Sequence, residues 1–411
     1  MSSVIQQDPS VAPISQRHSA VRVALGGLFA VSWLIWSFWL AQQYQDQVFG
    51  FIAICGGLFG IVLQRSRFCF YCILTDFFEH RDARGILGLF TALLVGTLGY
   101  HAVFGAFLPQ LNGQQLPPDA HIGAVSWVLP IGALAFGLGM AFAGSCISAQ
   151  LYRLGEGLLS APVALLGVLI GFALGFISWN WLYLNFIQQS VAVWLPNYVG
   201  YAGSLLLQLV LIGSVIGGSL YFIQKKLVVH AAQPESIITN PTANQIWHGI
   251  FQQRWATWIG GILIGLIATV AYFRVGALGV TAELGSISRT LLDLIWSVQH
   301  LQGLDRLTGC MTVVKETLLS NNGVFVISLI LGSLAAAVIA GQFKWQTQTY
   351  KGLLRIFSGG VLMGWGAMVS LGCTVGVFLS GIMAGAISGW IFAIFCVLGA
   401  WLGWKIRKRL Q

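Results

Sequence analysis

The chain has 411 residues, of which 57% are hydrophobic and 8% charged, with a formal net charge of +9. Soluble domains carry about 25% charged residues, so this chain cannot cover a folded surface with solvated groups. A water-soluble globule is excluded and lipid is the main solvent. The positive charge does not point to nucleic acid, because the basic residues cluster in short loops between apolar runs, as on a cytoplasmic membrane face.

Met1–Arg22 is polar and lacks the charged-then-apolar order of a signal peptide, so it reads as a cytoplasmic N-terminal segment. Roughly 20 apolar residues cross a bilayer as a helix. Ten runs meet that description: Val23–Leu40, Val48–Leu63, Gly85–Leu108, Ile122–Ala143, Leu158–Leu184, Ala202–Ile223, Trp255–Phe273, Gly323–Phe343, Ile356–Leu371 and Ala386–Trp404. The second and ninth are short. With both termini cytoplasmic, only Arg274, Arg289, Arg306 and Lys315 of the 21 lysines and arginines fall outside. They share their segment with Glu283, Asp293, Asp305 and Glu316. The bias toward the inner loops predicts a multi-pass protein of the bacterial inner membrane, N-in and C-in.

Two segments repeat one spacing. Gly132, Gly137 and Gly139 precede Cys146 by 14, 9 and 7 residues, and Gly359, Gly364 and Gly366 precede Cys373 by the same intervals. Cys146 ends a run directed inward and Cys373 one directed outward, so the two copies are upside down relative to each other. The expected fold is an all-α polytopic membrane protein with an inverted-topology repeat. Its expected segments are 1–22 (cytoplasmic), 23–47 (an additional span), 48–200 (repeat one), 201–254 (a connecting span and linker), 255–404 (repeat two) and 405–411 (a basic tail). Such repeats place a substrate site near the midplane, where broken segments meet. Short glycine-bearing stretches, Ile147–Gly157 and Thr374–Gly385, follow the two cysteines. They read as re-entrant loops, which survive at membrane depth only where protein or water covers them. Gln64–Asp76, with Cys69 and Cys72, and Arg274–Ser288, with Gly279 and Thr281, are expected to supply the other two central segments.

The motifs here are specific. Gln64-Arg-Ser-Arg-Phe-Cys69 resembles the Gln-Arg-Gly-Arg-Phe-Cys motif of the YeeE/YedE family of sulfur-compound transporters. Ala143-Gly-Ser-Cys146 with Tyr152-Arg-Leu-Gly-Glu-Gly157 is similar to that family's second motif, and Gly359–Gly366 with Leu371-Gly-Cys373-Thr-Val-Gly376 to its third. Ser66 and Ser145 stand where glycine is usual, and Cys72 is an addition. The resemblance implies thiosulfate uptake, with one cysteine in each of three central loops relaying the anion: Cys69, Cys146 and Cys373. Gly144 and Ser145 before Cys146, Gly372 and Thr374 beside Cys373, and Gly279 and Thr281 of the fourth central segment are the expected substrate contacts. A thiol is a weak donor with a soft sulfur, suited to holding a soft-ended anion loosely enough to release it.

Of the seven cysteines, Cys55 and Cys396 lie inside apolar runs and read as inert packing, while Cys310 has no evident role. The odd number and the apolar setting argue against a disulfide scaffold. Cys69 and Cys72 also fit a redox pair, which keeps a membrane thiol–disulfide oxidoreductase as an alternative, beside transport of another sulfur or selenium compound. Arg65, Arg67 and Arg153 are expected at an inner mouth, setting topology and facing an anion or a cytoplasmic sulfur-carrier protein. Glu156 and Glu283 are expected to pair with Arg153 and Arg274. No metal-ligand spacing, cofactor fingerprint or nucleophilic triad appears, so no metal, cofactor or enzymatic reaction is expected.

Overall fold

The computed structural model describes residues 12–43, 47–108, 116–230, 243–277, 279–295, 301–304, 312–315 and 319–410. Cys310, Arg306, Asp305 and Glu316 lie outside the described residues. Among the described residues the protein is all-α, with ten helical segments long and apolar enough to cross a membrane.

In chain order the helices are α1 (Ala12–Gln43), α2 (Val48–Ser66), α3 (Phe70–His80), α4 (Arg84–Phe107), α5 (Val128–Ala143), α6 (Ile147–Gly155) and α7 (Ala161–Leu182). They continue with α8 (Leu195–His230), α9 (Ala243–Phe251), α10 (Thr257–Arg274), α11 (Val280–Ile295), α12 (Asn321–Ile339), α13 (Tyr350–Val369), α14 (Gly381–Met383) and α15 (Ile387–Leu410). The chain enters α14 through π-helical Thr374–Ser380, so Thr374–Met383 is one short apolar helix. Each of the ten predicted runs has its long helix. The fourth starts late, at Val128, because Ala124 bridges to Ala192 in the loop after α7. The sixth starts early, at Leu195, and bends at Gly200, whose φ of 72° a glycine adopts without strain.

The packing pairs helices across the two halves of the chain. Helix α13 lies against α5 and α7, and α5 in turn against α15; α2 packs on α12 and α4 on α10. At the periphery α1 covers α12 and α8 covers α4. Exchanging α1, α2, α4, α5 and α7 for α8, α10, α12, α13 and α15 in that order leaves this pattern of neighbours unchanged.

The repeated glycines sit at the centre of that pattern. A Cβ on Gly139 would come within 2.6 Å of the Gly359 carbonyl oxygen, and one on Gly359 within 2.7 Å of the Gly139 carbonyl. Gly132 and Gly366 face each other in the same way, 2.5 Å separating a Cβ on Gly366 from the Gly132 carbonyl. The first glycine of each copy thus meets the last glycine of the other, as an antiparallel crossing requires. The middle glycines turn aside: Gly137 abuts the Cys396 carbonyl on α15, and Gly364 abuts the Val168 carbonyl on α7. Small residues at a crossing let backbones approach where lipid offers no hydrophobic drive to association.

The connections between helices sort into two sets. Gln64 binds Glu156 and Gln342, Lys344 N–H donates to the Glu156 carbonyl, and Trp255 N–H donates to the Arg65 carbonyl. On the other side Leu195 N–H donates to the Gly385 carbonyl, Ile387 N–H to Val193, and Tyr272 Oη to Pro118. These bonds join only loops that the basic-residue pattern puts on one side.

Replacing Gly359 by Leu forces α13 off α5 and is expected to cost about 3 kcal/mol, read as a lower melting temperature of the purified protein. Gly218→Leu on α8, where a Cβ meets nothing within 4 Å, is expected to leave it unchanged. Equal melting of both variants with the unmodified protein would show that the α5–α13 crossing tolerates separation.

Candidate thiol site

Three helix breaks share one backbone device. Arg67, Gly144 and Leu371 adopt positive φ (50°, 80° and 59°), and each stands two residues before a cysteine. A left-handed residue ends a helix by turning its N–H back onto the last turn. The N–H of Arg67 returns to the Leu63 carbonyl and that of Gly144 to Met140. The cysteine that follows is extended and becomes the N-cap of the next helix: Cys69 for α3, Cys146 for α6 and Cys373 for Thr374–Met383. A thiol replaces the usual hydroxyl or carboxamide cap. Cys69 Sγ accepts from Cys72 N–H and Cys373 Sγ from Val375 N–H, both at 3.4 Å.

Cys69 and Cys146 come together. Their thiols are neighbours, and the backbone of Phe70, at the start of α3, and of Ala149, in α6, lies near Cys146, whose side chain makes no capping hydrogen bond. Helices α3 and α6 therefore begin at one pair of sulfurs, and each brings the partial positive charge of its N-terminus there. Both cysteines are buried. Beside them Ser145 and Ser148 are buried, and neither hydroxyl has a hydrogen-bond partner among the described residues. A buried hydroxyl without a partner costs roughly 1–3 kcal/mol, so this is a place where a polar ligand has donors waiting.

Cys373 lies in the other set of loops, with buried Gly372 and Thr374 beside it. Phe378, one turn further on, meets Phe70 of α3 at 5.0 Å between ring centroids, so the two regions touch through aromatic side chains. Cys396 is buried close to Cys373, whereas Cys55 sits in the α2 core. The fourth break carries no cysteine. Gly276 turns the chain with a φ of 109°, Gly279 N–H donates to Asn322 Oδ1 at 3.0 Å, and Thr281 is fully buried in α11.

Several expected partners differ. Arg65, expected at the mouth, is buried, with its guanidinium on the Gln253 carbonyl; it ties α2 to the segment before α10 and is not on a surface. Arg67, two residues on, is exposed. Glu283 does not pair with Arg274. It pairs with Lys315 and accepts Ser320 Oγ at 2.5 Å, while Arg274 lies over the Phe51 ring at 5.2 Å. Glu156 takes its hydrogen bond from Gln64 at 3.2 Å, and burial raises its pKa. Arg153 donates instead to Cys72 Sγ at 3.1 Å. Nothing in the sequence marks Lys315 as the partner of Glu283, because 32 residues separate them.

The sulphur transport family matches residues 65–402, which contain all three breaks. This chain belongs to that family. It is accordingly a transport protein and not an enzyme. Thiosulfate transporter TsuA of Escherichia coli (strain K12) is 30% identical over 367 residues, covering 87% of this chain and 94% of that protein. The protein of the same name from Spirochaeta thermophila is 30% identical over 368 residues, 87% and 98% of the two chains. Probable transporter YedE of Escherichia coli (strain K12) is 26% identical over 172 residues, 39% of each chain.

In this family member the buried Glu283–Lys315 pair anchors α11, and removing one partner of a buried pair costs about 3–5 kcal/mol. Glu283→Ala is therefore expected to lower thermal stability sharply, and Lys315→Met added to it to restore most of the loss. A double variant as unstable as the single one would mean that Glu283 acts through Ser320 rather than through the charge of Lys315.

Proposed function

We propose that this chain takes up thiosulfate across the bacterial inner membrane, with Cys69, Cys146 and Cys373 relaying the anion. The observation that carries the reading is the Cys69–Cys146 pair, set at two convergent helix N-termini beside the unpartnered hydroxyls of Ser145 and Ser148. Both relatives covering most of the chain are named thiosulfate transporters. Thiosulfate has hard oxygens and a soft terminal sulfur. Helix N–H groups and hydroxyls suit the oxygens, and thiols suit the sulfur. None of these groups carries a full charge, so the anion is held without the deep well that a midplane lysine would make. Gly144, Gly372 and Thr374 shape the breaks, and Gly279 with Thr281 forms the break that faces the outer solution.

The same proposal takes the chain as an inverted duplication, N-in and C-in. Support comes from the glycines that meet in reciprocal order, from the pattern of neighbours that survives exchange of the halves, and from loops that bond only within their predicted side. Exposed Arg67 belongs to the inner face, where a cytoplasmic sulfur-carrier protein would collect the product.

Growth of a sulfur-auxotrophic bacterial host on thiosulfate, with and without this chain, tests the substrate. Cys69→Ala, Cys146→Ala and Cys373→Ala are each expected to remove most uptake at equal membrane expression, and Cys55→Ala to leave it nearly intact. Full uptake by any of the first three removes that thiol from the relay. A reporter fused after Lys226 is expected to report cytoplasm, and one after Gln114 periplasm; the opposite pair overturns the orientation.

A further inference from the structure

A second cluster stands next to the thiol pair. Cys72 is three residues after Cys69, on the first turn of α3, and it is half-buried where Cys69, Cys146 and Cys373 are closed off. It borders a cavity of about 600 Å³ together with Arg67, Asp76, Tyr152, Arg153 and Arg254. Arg153 approaches from α6 and donates Nη2–H to Cys72 Sγ at 3.1 Å. The thiol and the guanidinium thus come from the two short helices whose starts hold Cys69 and Cys146.

The cavity carries an excess of positive charge. Arg84, also on its wall, is committed to Asp82 at 2.6 Å, which cancels that pair. Arg67, Arg153 and Arg254 then outnumber two carboxylates, Asp76 on the wall and Glu156 close by, and among the described residues none of the three arginines forms an ion pair. Burial, with Arg67 and Arg153 nearby, lowers the pKa of Arg254. An anion entering this space relieves that crowding. Guanidinium is suited to oxyanions because its planar fork matches two oxygens at once.

We propose that Cys72 and Arg153 form an exit subsite for a sulfur oxyanion bearing a terminal sulfane sulfur, with the Cys72 thiol on the soft sulfur and the Arg153 fork on the oxygens. The subsite rests on the transport reading and extends it by one station. An anion leaving Cys69 moves three residues along one helix face and passes from a closed site to an open cavity. Arg67 and Arg254 hold the surrounding potential positive without touching the thiol. Cys72 is an addition to the motif that the Gln64–Cys69 stretch resembles, so the subsite extends the site that the motif marks.

The test is protection of Cys72 from N-ethylmaleimide in the purified full-length protein, followed at the Cys72 peptide by mass spectrometry. Thiosulfate is expected to slow labelling of Cys72, at concentrations about tenfold below those at which sulfate does so, since sulfate offers the oxygens without the soft sulfur. Arg153→Gln is expected to abolish protection while Cys72 remains labelled. Arg153→Lys, which keeps the charge and loses the fork, is expected to weaken protection, and serves if the Gln variant does not fold. Cys72→Ser is expected to retain part of the uptake, slowed severalfold, because the closed thiols upstream are intact. Wild-type transport of thiosulfate with Cys72 labelling that thiosulfate leaves unchanged overturns the subsite and spares the transport reading. Protection of Cys72 in a protein that fails to transport thiosulfate overturns transport and upholds the subsite.

Discussion

The structure depends on how a helix is interrupted inside a membrane. A broken helix leaves carbonyls at one end and N–H groups at the other, and lipid satisfies neither. At Arg67, Gly144 and Leu371 a left-handed residue deals with the carbonyl end by folding an N–H back onto the preceding turn. At Cys69, Cys146 and Cys373 the next residue but one opens a new helix and offers only sulfur as a cap. Sulfur is a poor acceptor, and at 3.4 Å it takes up one N–H weakly. The remaining donors stay available. A strong cap such as aspartate would have consumed them and filled the site with a fixed negative charge.

That economy of donors demands support from the surroundings, because a break removes helical hydrogen bonds that would otherwise hold the span. The glycine crossing of α5 and α13 provides it. Carbonyl oxygens of one helix lie where the side chains of the other would be, so the two helices that lead into Cys146 and Cys373 are held backbone to backbone. Displacing one would shift both breaks together. On one side of the helices, Gln64, Glu156 and Gln342 form one network, and Arg65 fastens α2 to the segment before α10. The breaks are thus irregular in backbone but flanked by helices held in close backbone contact.

Much of this was legible in the sequence. Apolar runs located the ten long helices, since hydrocarbon selects for uninterrupted apolar length whatever the tertiary packing. The interval from glycine to cysteine was legible too, and the structure gives it a cause: the intervals place glycines where two helices cross and the cysteine where each breaks. The sequence was silent on charge pairing. Glu283 and Lys315 meet across a loop, and Arg65 is buried through a backbone carbonyl that has no signature. Of Arg65, Arg67 and Arg153 the last two border one cavity, and Arg65 stands apart for a local reason. Arg65 is the last turn of α2 and points inward, while Arg67 is the left-handed residue that turns the chain outward. Likewise the half-helix Thr374–Met383 is π-helical at its start, which no spacing of apolar residues predicts.

On the proposed pathway the two ends of the protein are not equivalent, and the difference bears on what drives transport. The outer break offers Cys373, opposite a helix start whose Gly279 N–H is already engaged by Asn322. The inner side offers Cys69 and Cys146 together, then Cys72 with Arg153 and a cavity of positive charge. Soft donors and positive potential both increase inward. Such a gradient of affinity cannot by itself concentrate an anion, because whatever binds more tightly inside also leaves more slowly. It acts on rates: an anion that reaches the inner station is held there longer than at the outer one. Net inward movement on such a pathway requires that the anion be kept scarce on the cytoplasmic side. A pathway of this kind needs no ion-coupling site among its helices, and it places the thermodynamic cost of uptake in the metabolism that uses the substrate.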